Sequence, residues 1–555
     1  MITPLLELRD LSITFPGGER AAVDGVSFAL EAGQCVALVG ESGSGKSLTA
    51  RAALGLLPRY AQRRGEILLR GEAAPPAQSA EWNSIRGAKA GFVPQDALGA
   101  LDPLRRIEHE VGDALRLHRI GGTVDRRSRV VAALEEAGMP EAGSRLRLRS
   151  DQLSGGLRQR ALIASALVAD PALIVADEPT TALDAAHRDR VLKVLRSRVD
   201  AGAGALVISH DLTAVREVAD LVLVMRTGRV VEAGTPDEVF ASPRHSFTRE
   251  LLAASPATKP RGERLLPSAV GVGRASNSAA AVVTRAAAVN ASAAPVSAVA
   301  QRSSAESLGA PRLELREVTA NYAGRAASNE PEVLQSLSFS VFEGETVGLL
   351  GSSGSGKTTL LRVALGLHRV SAGQVLIDGV DRAVAPRAEQ RVLRRKLALV
   401  PQDPLAAFPR GQSAGAILVD AFRAAGVPRA SRFAHAERIA DEVGLASSTL
   451  RQNAATLSGG QRQRLAIARA LAAEPELLLL DEPVSALDLT VQARVLDLLD
   501  ELQRRHGTAY LFVSHDRDVV RHMSDRVLVL SDGNTRGSND PDSSSTLAHH
   551  SVTVD

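Results

Sequence analysis

The chain has one cysteine, Cys35, in 555 residues. A single thiol excludes an internal disulfide framework and a multi-cysteine metal centre. Cys35 lies in the apolar run Cys35-Val-Ala-Leu-Val39, where a packed core residue is expected rather than a reactive thiol. A strong net charge is also missing: 66 Lys and Arg against 63 Asp and Glu leave +3. That balance is too mild to argue for nucleic acid as a partner. With a pI of about 9.2 it permits an anionic membrane surface without requiring one. No run is apolar enough to span a bilayer. The nearest, 279–300, is rich in Ala and Ser and is broken by Arg285, Asn290 and Pro295. Any link to a membrane is therefore expected to run through a partner. The opening Met1-Ile-Thr-Pro-Leu-Leu-Glu has no basic segment followed by an apolar one, so no secretory signal is expected.

What is present is globular: 45% hydrophobic and 23% charged residues, with room for two to four domains. One motif occurs twice. Gly40-Glu-Ser42-Gly43-Ser-Gly45-Lys46-Ser47 and Gly351-Ser-Ser353-Gly354-Ser-Gly356-Lys357-Thr358 both read G-x-x-x-x-G-K-[ST]. Average residue usage gives this pattern by chance at about 4 in 100,000 sites, so two hits are not noise. Each follows a short apolar run and precedes a helix-compatible stretch, which is the order that phosphate binding needs. The glycines turn backbone N–H groups toward phosphate, and the helix N-terminus adds positive potential. Lys46 and Lys357 are expected to reach the β- and γ-phosphates, and Ser47 and Thr358 to ligate magnesium.

Downstream, Ala172-Leu-Ile-Val-Ala-Asp177-Glu178 and Leu477-Leu-Leu-Leu-Asp481-Glu482 read as buried parallel strands ending in two acids. Such sheets carry function at the carboxyl ends of their strands. Asp177 and Asp481 are expected to hold magnesium, directly or through water. Glu178 and Glu482 are expected to polarise the attacking water. Between loop and acids stand Leu153-Ser154-Gly155-Gly156 and Leu457-Ser458-Gly459-Gly460, each opening a helix-compatible segment. Alone they read equally as ordinary helix caps or as anion-binding termini.

The order of these motifs, twice over, resembles the ATP-binding cassette ATPases. The resemblance implies two α/β domains of P-loop NTPase type. Each would hold a mostly parallel core sheet, a helical subdomain and an antiparallel β subdomain. Further markers match the family. Gln95 and Gln402 resemble the glutamine that senses magnesium and meets the transporter. Thr181-Ala-Leu-Asp184 and Ser485-Ala-Leu-Asp488 resemble the loop that crosses the dimer interface. His210 and His515 resemble the switch histidine at the γ-phosphate. Phe15 and Tyr322 fall where the family stacks an aromatic on adenine. The implied mechanism sandwiches two ATP between halves packed head to tail. One site would join Lys46, Ser47, Gln95, Asp177, Glu178 and His210 to Ser458 and Gly460. The other would join Lys357, Thr358, Gln402, Asp481, Glu482 and His515 to Ser154 and Gly156. One departure is Leu157, where the second half has Gln461; activity is expected at both sites.

Within the family, the loop and acid motifs and Pro243-Arg-His-Ser-Phe-Thr-Arg-Glu look like the peptide and nickel importer branch. That implies a peripheral ATPase on the cytoplasmic face of the membrane, serving two permease subunits and a solute-binding protein. An exporter ATPase, or a soluble tandem cassette acting on ribosomes or DNA, remains an alternative. The linker is not the charged helix of translation-type cassettes, and no sustained heptads appear. Expected domains are 1–252 and 311–532, joined by a flexible Ala/Ser/Pro-rich linker at 253–310, with a disordered tail at 533–555. The second half is expected to lose its last hairpin after Gly533.

Overall fold

The computed structural model describes residues 3–18, 20–95, 97–180, 185–266, 310–321, 332–352, 354–485, 487–531 and 533–538. Two similar cassettes occupy it. In the first, a six-stranded sheet runs in the order Arg229–Gly234, Leu221–Arg226, Cys35–Gly40, Gly204–Ile208, Leu173–Asp177, Ala90–Val93. All neighbours pair in parallel except the first two. The three central strands are buried along their whole length, as their near-continuous Val, Ile, Leu and Ala content requires of a sheet covered on both faces. Their carboxyl ends are Gly40, Ile208 and Asp177. The glycine-rich loop, His210 and the acid pair therefore emerge side by side.

The second cassette repeats the order: Leu397–Val400, Leu477–Asp481, Ala509–Ser514, Thr346–Gly351, Arg526–Ser531 and Asn534–Ser538. Each cassette also has a four-stranded antiparallel sheet, led by Leu6–Thr14 and by Leu313–Asn321. Each has a helical layer, Ile107–Leu117, Thr123–Glu136 and Gly155–Leu167 in the first, and Ala414–Ala424, Arg432–Glu442 and Gly459–Leu471 in the second. This is the α/β class expected. No helix among the described residues is long and apolar enough to cross a membrane. Cys35 is a core residue, and burial pushes its thiol up to about 12, with the Asp220 charge adding to the effect.

Two expectations need correction. The tail does not begin at Gly533. That glycine turns the chain at a φ of 78°, and Asn534–Ser538 pairs antiparallel with Arg526–Ser531, so the hairpin is kept. Its unpaired edge would otherwise leave Val527 to Ser531 without ladder partners on that side. Nor does a free linker begin at Ala253. Residues 254–266 lie against the second cassette, with Ala254 and Leu265 inside its core. The rest of the expected linker, 267–309, and the tail from 539 lie outside the described residues.

Candidate active sites

Each phosphate loop passes from strand to helix through a glycine that cannot be replaced. Gly45 caps the helix Lys46–Ala53 at a φ of 98°, and Gly356 caps Lys357–Leu365 at 103°. A Cβ would come within 2.6 Å of the Ala22 carbonyl in one and 2.9 Å of the Val333 carbonyl in the other. Both lysines are folded back on their loops. Lys46 Nζ donates to the carbonyls of Gly40 and Glu41, both at 2.7 Å; Lys357 Nζ donates to those of Gly351 and Ser352 at 2.7 and 2.8 Å. Burial pulls the Lys46 ammonium below its ordinary pKa, against the opposing charges of Glu178, Asp488 and Asp177. A polyanion that offered better partners than carbonyl oxygens would therefore be taken up strongly.

The acid pairs share an unusual backbone. Glu178 and Glu482 sit at φ of 51° and 46°, in the left-handed region that glutamate rarely enters. Each is pinned there by its amide, which donates to a carbonyl of the neighbouring strand, that of Ile208 and of Val513 respectively, at 2.9 Å. Holding a non-glycine residue in this region costs about 1–2 kcal/mol. The turn swings each glutamate away from the direction its strand would impose and toward the phosphate loop.

Asp177 is fully buried. Ser47 Oγ donates to its Oδ1 at 2.9 Å, and its Oδ2 has no hydrogen-bond partner among the described residues. Burial raises its pKa, as it does for Asp481, which is pushed up to about 6 with the Glu482 charge adding to the effect. A buried carboxylate oxygen without a donor, beside a hydroxyl, fits a magnesium ion. Among the described residues there is no cluster of three or more His, Cys, Asp or Glu able to hold a metal alone. Magnesium takes one or two protein ligands and completes its octahedron with water and phosphate. Ser47 and Asp177 would hold it in one site, and Thr358 and Asp481 in the other.

Gln95 Nε2 donates to Glu178 Oε2 at 2.8 Å, and Gln402 Nε2 to Glu482 Oε2 at 3.0 Å. His210 Nδ1 stands 3.5 Å from Glu178 Oε1, and His515 Nδ1 3.1 Å from Glu482 Oε2. Burial alone would lower the pKa of each histidine; the hydrogen bond and charge of the glutamate outweigh it and raise both. Glu482 shifts the other way, because His515 and Lys357 outweigh its burial. Each site thus holds a glutamate clamped between an amide and an imidazole.

The first cleft is lined by Gly40, Ser42, Gly43, Gly45, Lys46, Ser47, Gln95, Glu178 and His210, and across from them by Ser485, Leu487 and Asp488 of the second cassette. The interface loop is where the resemblance puts it. Ser458 and Gly460 are not among the lining residues. Ser458 caps its helix in a reciprocal box: its Oγ accepts from Gln461 N at 3.3 Å, and Gln461 Oε1 accepts from Ser458 N at 2.9 Å. Gly459 is exposed beside it, and Gly460 is packed against Val491. Ser154 makes no side-chain cap bond, and Leu157 has no side-chain acceptor for the Ser154 amide; Gly155 is exposed and Gly156 half-buried. Phe15 is half-buried and meets Tyr60, ring centroids 5.8 Å apart. Tyr60 escaped the sequence reading, because nothing in its spacing ties it to the loop. Tyr322, Ser353 and the loop 181–184 lie outside the described residues, while Gly351, Gly354 and Gly356 complete the second phosphate loop.

Comparison with known proteins agrees with this geometry. A family model described as ABC transporter matches residues 23–181 and 334–485. The chain belongs to the ABC transporter family. Both cassettes are ABC ATPase domains that bind ATP. An oligopeptide transport ATP-binding protein, OppD, of Mycobacterium tuberculosis is 36% identical over 95% of this chain and 94% of its own length. A peptidoglycan transport ATP-binding protein, YejF, of Agrobacterium fabrum is 36% identical over 96% and 91%. A glutathione import ATP-binding protein, GsiA, of Escherichia coli is 33% identical over 95% and 84%. A solved complex of an archaeal ribosomal stalk protein with the ribosome recycling factor aABCE1 aligns over 95% of this chain. Its TM-score is 0.60 at 18% identity, a likeness of fold alone.

Proposed function

We propose that this ABC ATPase energises a binding-protein-dependent importer of peptides or related small solutes. It would sit peripherally on the cytoplasmic face of the membrane, serving two permease subunits fed by a solute-binding protein. The observation that carries the reading is the joint one. Relatives named for oligopeptide, peptidoglycan and glutathione transport match nearly the whole chain, and both glutamate–glutamine–histidine sets are complete.

In this mechanism Lys46 and Lys357 exchange loop carbonyls for phosphate oxygens, and the amides of Gly43, Gly45, Gly354 and Gly356 take the remaining charge. Magnesium, when bound, would neutralise the β- and γ-phosphate oxygens. Glu178 and Glu482 orient water for in-line attack, with Gln95 and Gln402 fixing one carboxylate oxygen and the histidines facing the carboxylate. Phe15 stacks on the base. Ser458, Gly459 and Gly460 would complete the Lys46 site across the interface, and Ser154, Gly155 and Gly156 the Lys357 site. Contacts made to both halves only when closed would convert binding energy into closure, and hydrolysis would release it.

The test is to trap the closed state. Tagged chain carrying Glu178→Gln and Glu482→Gln is expressed in its host, supplied with ATP, solubilised gently and analysed by mass spectrometry. Two polytopic permeases with a lipid-anchored binding protein are expected to co-purify. Ribosomal or DNA-repair proteins without a permease would overturn the import reading.

A further inference from the structure

The two cassettes anchor the start of the phosphate-loop strand in the same way but obtain the cation from different places. In the first, Asp220 Oδ2 accepts from Cys35 N at 2.7 Å, and Arg196 on the outer helix Ala185–Asp200 pairs with Asp220 at 3.0 Å. In the second, Asp525 Oδ2 accepts from Thr346 N at 2.8 Å. The outer helices correspond at a constant offset, with Val191, Leu192 and Leu195 buried like Val495, Leu496 and Leu499. Position 500, the counterpart of Arg196, is Asp500. The cation on Asp525 is instead Arg261, at 2.9 Å, from the segment that follows the first cassette.

The rest of that segment fits the same face. Arg261 also donates to the Met523 carbonyl and to Gln503 Oε1, the latter at 3.1 Å. Arg264 pairs with Glu501 at 3.0 Å. Asp497 accepts from the amides of Leu265 and Leu266 at 2.8 and 3.0 Å, and Leu265 is fully buried in the second core. Arg521 donates to the Ala257 carbonyl, and His522 Nδ1 meets that of Lys259 at 3.1 Å. The acidic trio Asp497, Asp500 and Glu501 stands where the first cassette carries Lys193, Arg196 and Ser197. Arg261 and Arg264 would thus be repelled by their own cassette's outer helix and attracted to the other's.

We propose that residues 254–266 are a strap belonging functionally to the second cassette, and that Arg261 is a positioning residue holding Asp525 and the Thr346 amide at the root of the second phosphate loop. The first cassette, which keeps helices Pro236–Ala241 and Ser246–Ala253 packed over its own sheet, needs no such loan. Reading the charge reversal requires no ATP chemistry, so the proposal stands or falls apart from the transport reading.

Two measurements on the full-length protein test it, both in EDTA without nucleotide. Hydrogen exchange by mass spectrometry follows the peptides over 35–40 and 346–351. Arg261→Ala is expected to speed exchange at least fivefold in 346–351 and leave 35–40 unchanged, Arg196→Ala to do the reverse, and Arg261→Lys to restore most of the protection. Equal changes in both strands, or none in 346–351, would refute the positioning role. In the second measurement a protease site placed between 275 and 300 is cut. The C-terminal fragment should stay with a tagged N-terminal fragment. Arg264→Glu should reduce retention several-fold and Arg264→Glu with Glu501→Arg should recover it. Retention unaffected by Arg264→Glu, or separation with the native strap, would overturn the strap.

Discussion

Asp481 is held in a form that costs the fold stability, and the cost can be read by removing its charge. Its carboxyl is raised from 3.8 to about 6 by burial and by Glu482. Below pH 3.8 folded and unfolded chains are both protonated and nothing is lost. As pH rises, the unfolded chain ionises first while the folded one keeps its proton, so unfolding is favoured until the folded group also ionises near 6. The rise from 3.8 to about 6 corresponds to about 3 kcal/mol, and to about 2 after allowing for partial exposure. Asp481→Asn has the same shape without the charge. At about pH 7.5, in EDTA and without nucleotide, it should raise the urea midpoint of the second cassette by roughly 1 M. The gain should fall to roughly half near pH 5. ATPase activity should drop sharply in the same variant, since the carboxylate that would hold magnesium is gone. Identical midpoints at pH 7.5, or a gain that does not shrink with pH, would refute the linkage.

Other outcomes follow from the same geometry. Glu178→Gln with Glu482→Gln should keep ATP binding and lower turnover by about 10²–10⁴, measured by phosphate release at saturating ATP, because a neutral amide cannot accept the water's proton. The Glu482–His515 pair gives a bell in stability. The glutamate's share is complete above its unfolded value of 4.5 and fades as pH falls through its lowered folded value. The histidine's share is complete below 6.5 and fades as pH rises through its raised folded value. His515→Asn should therefore destabilise most between about pH 4.5 and 6.5 and least near pH 9, by denaturant titration. Leu157→Gln should build the missing capping box and add about 0.5–1 kcal/mol, a rise of about 1–4 °C in the melting temperature of the first cassette; Gln461→Leu should cost a similar amount. Phe15→Ala should weaken a fluorescent ATP analogue about fivefold, the worth of one aromatic stack.

The parts of the sites that the sequence made legible are those that backbone chemistry dictates. A phosphate loop needs Gly45 and Gly356 at positive φ, so its pattern is written in residue type. The acid strands are buried on both faces, so their apolar runs announce them. What stayed hidden depends on tertiary placement. Nothing in Asp177-Glu178 says that the glutamate takes a left-handed turn, because only the amide bond to Ile208 enforces it. Tyr60 reaches Phe15 through folding, not spacing. The segment 254–266 reads as Ala, Ser and Pro-rich linker from composition, and only the acidic face of Leu489–His506 gives its arginines a purpose. The final hairpin is hidden for a related reason: of Asn534 to Ser538 only Thr535 is a good strand former, and the ladder to Arg526–Ser531 supplies what propensity does not.

The two cassettes have kept the chemistry and let the scaffolding diverge. Lysine, acids, glutamine and histidine recur at matching places, each set closing on one glutamate. The supports differ: a capping box on Gly459–Leu471 but not on Gly155–Leu167, an arginine from the outer helix in one cassette and from a strap in the other. Catalytic groups act at fixed distances from one reacting phosphate, so no second solution to their placement exists within a given loop geometry. A carboxylate that anchors an amide needs only some nearby cation, and the chain can draw that cation from any segment able to reach it. Carried on the same chain as its target, Arg261 meets the second cassette at a raised effective concentration.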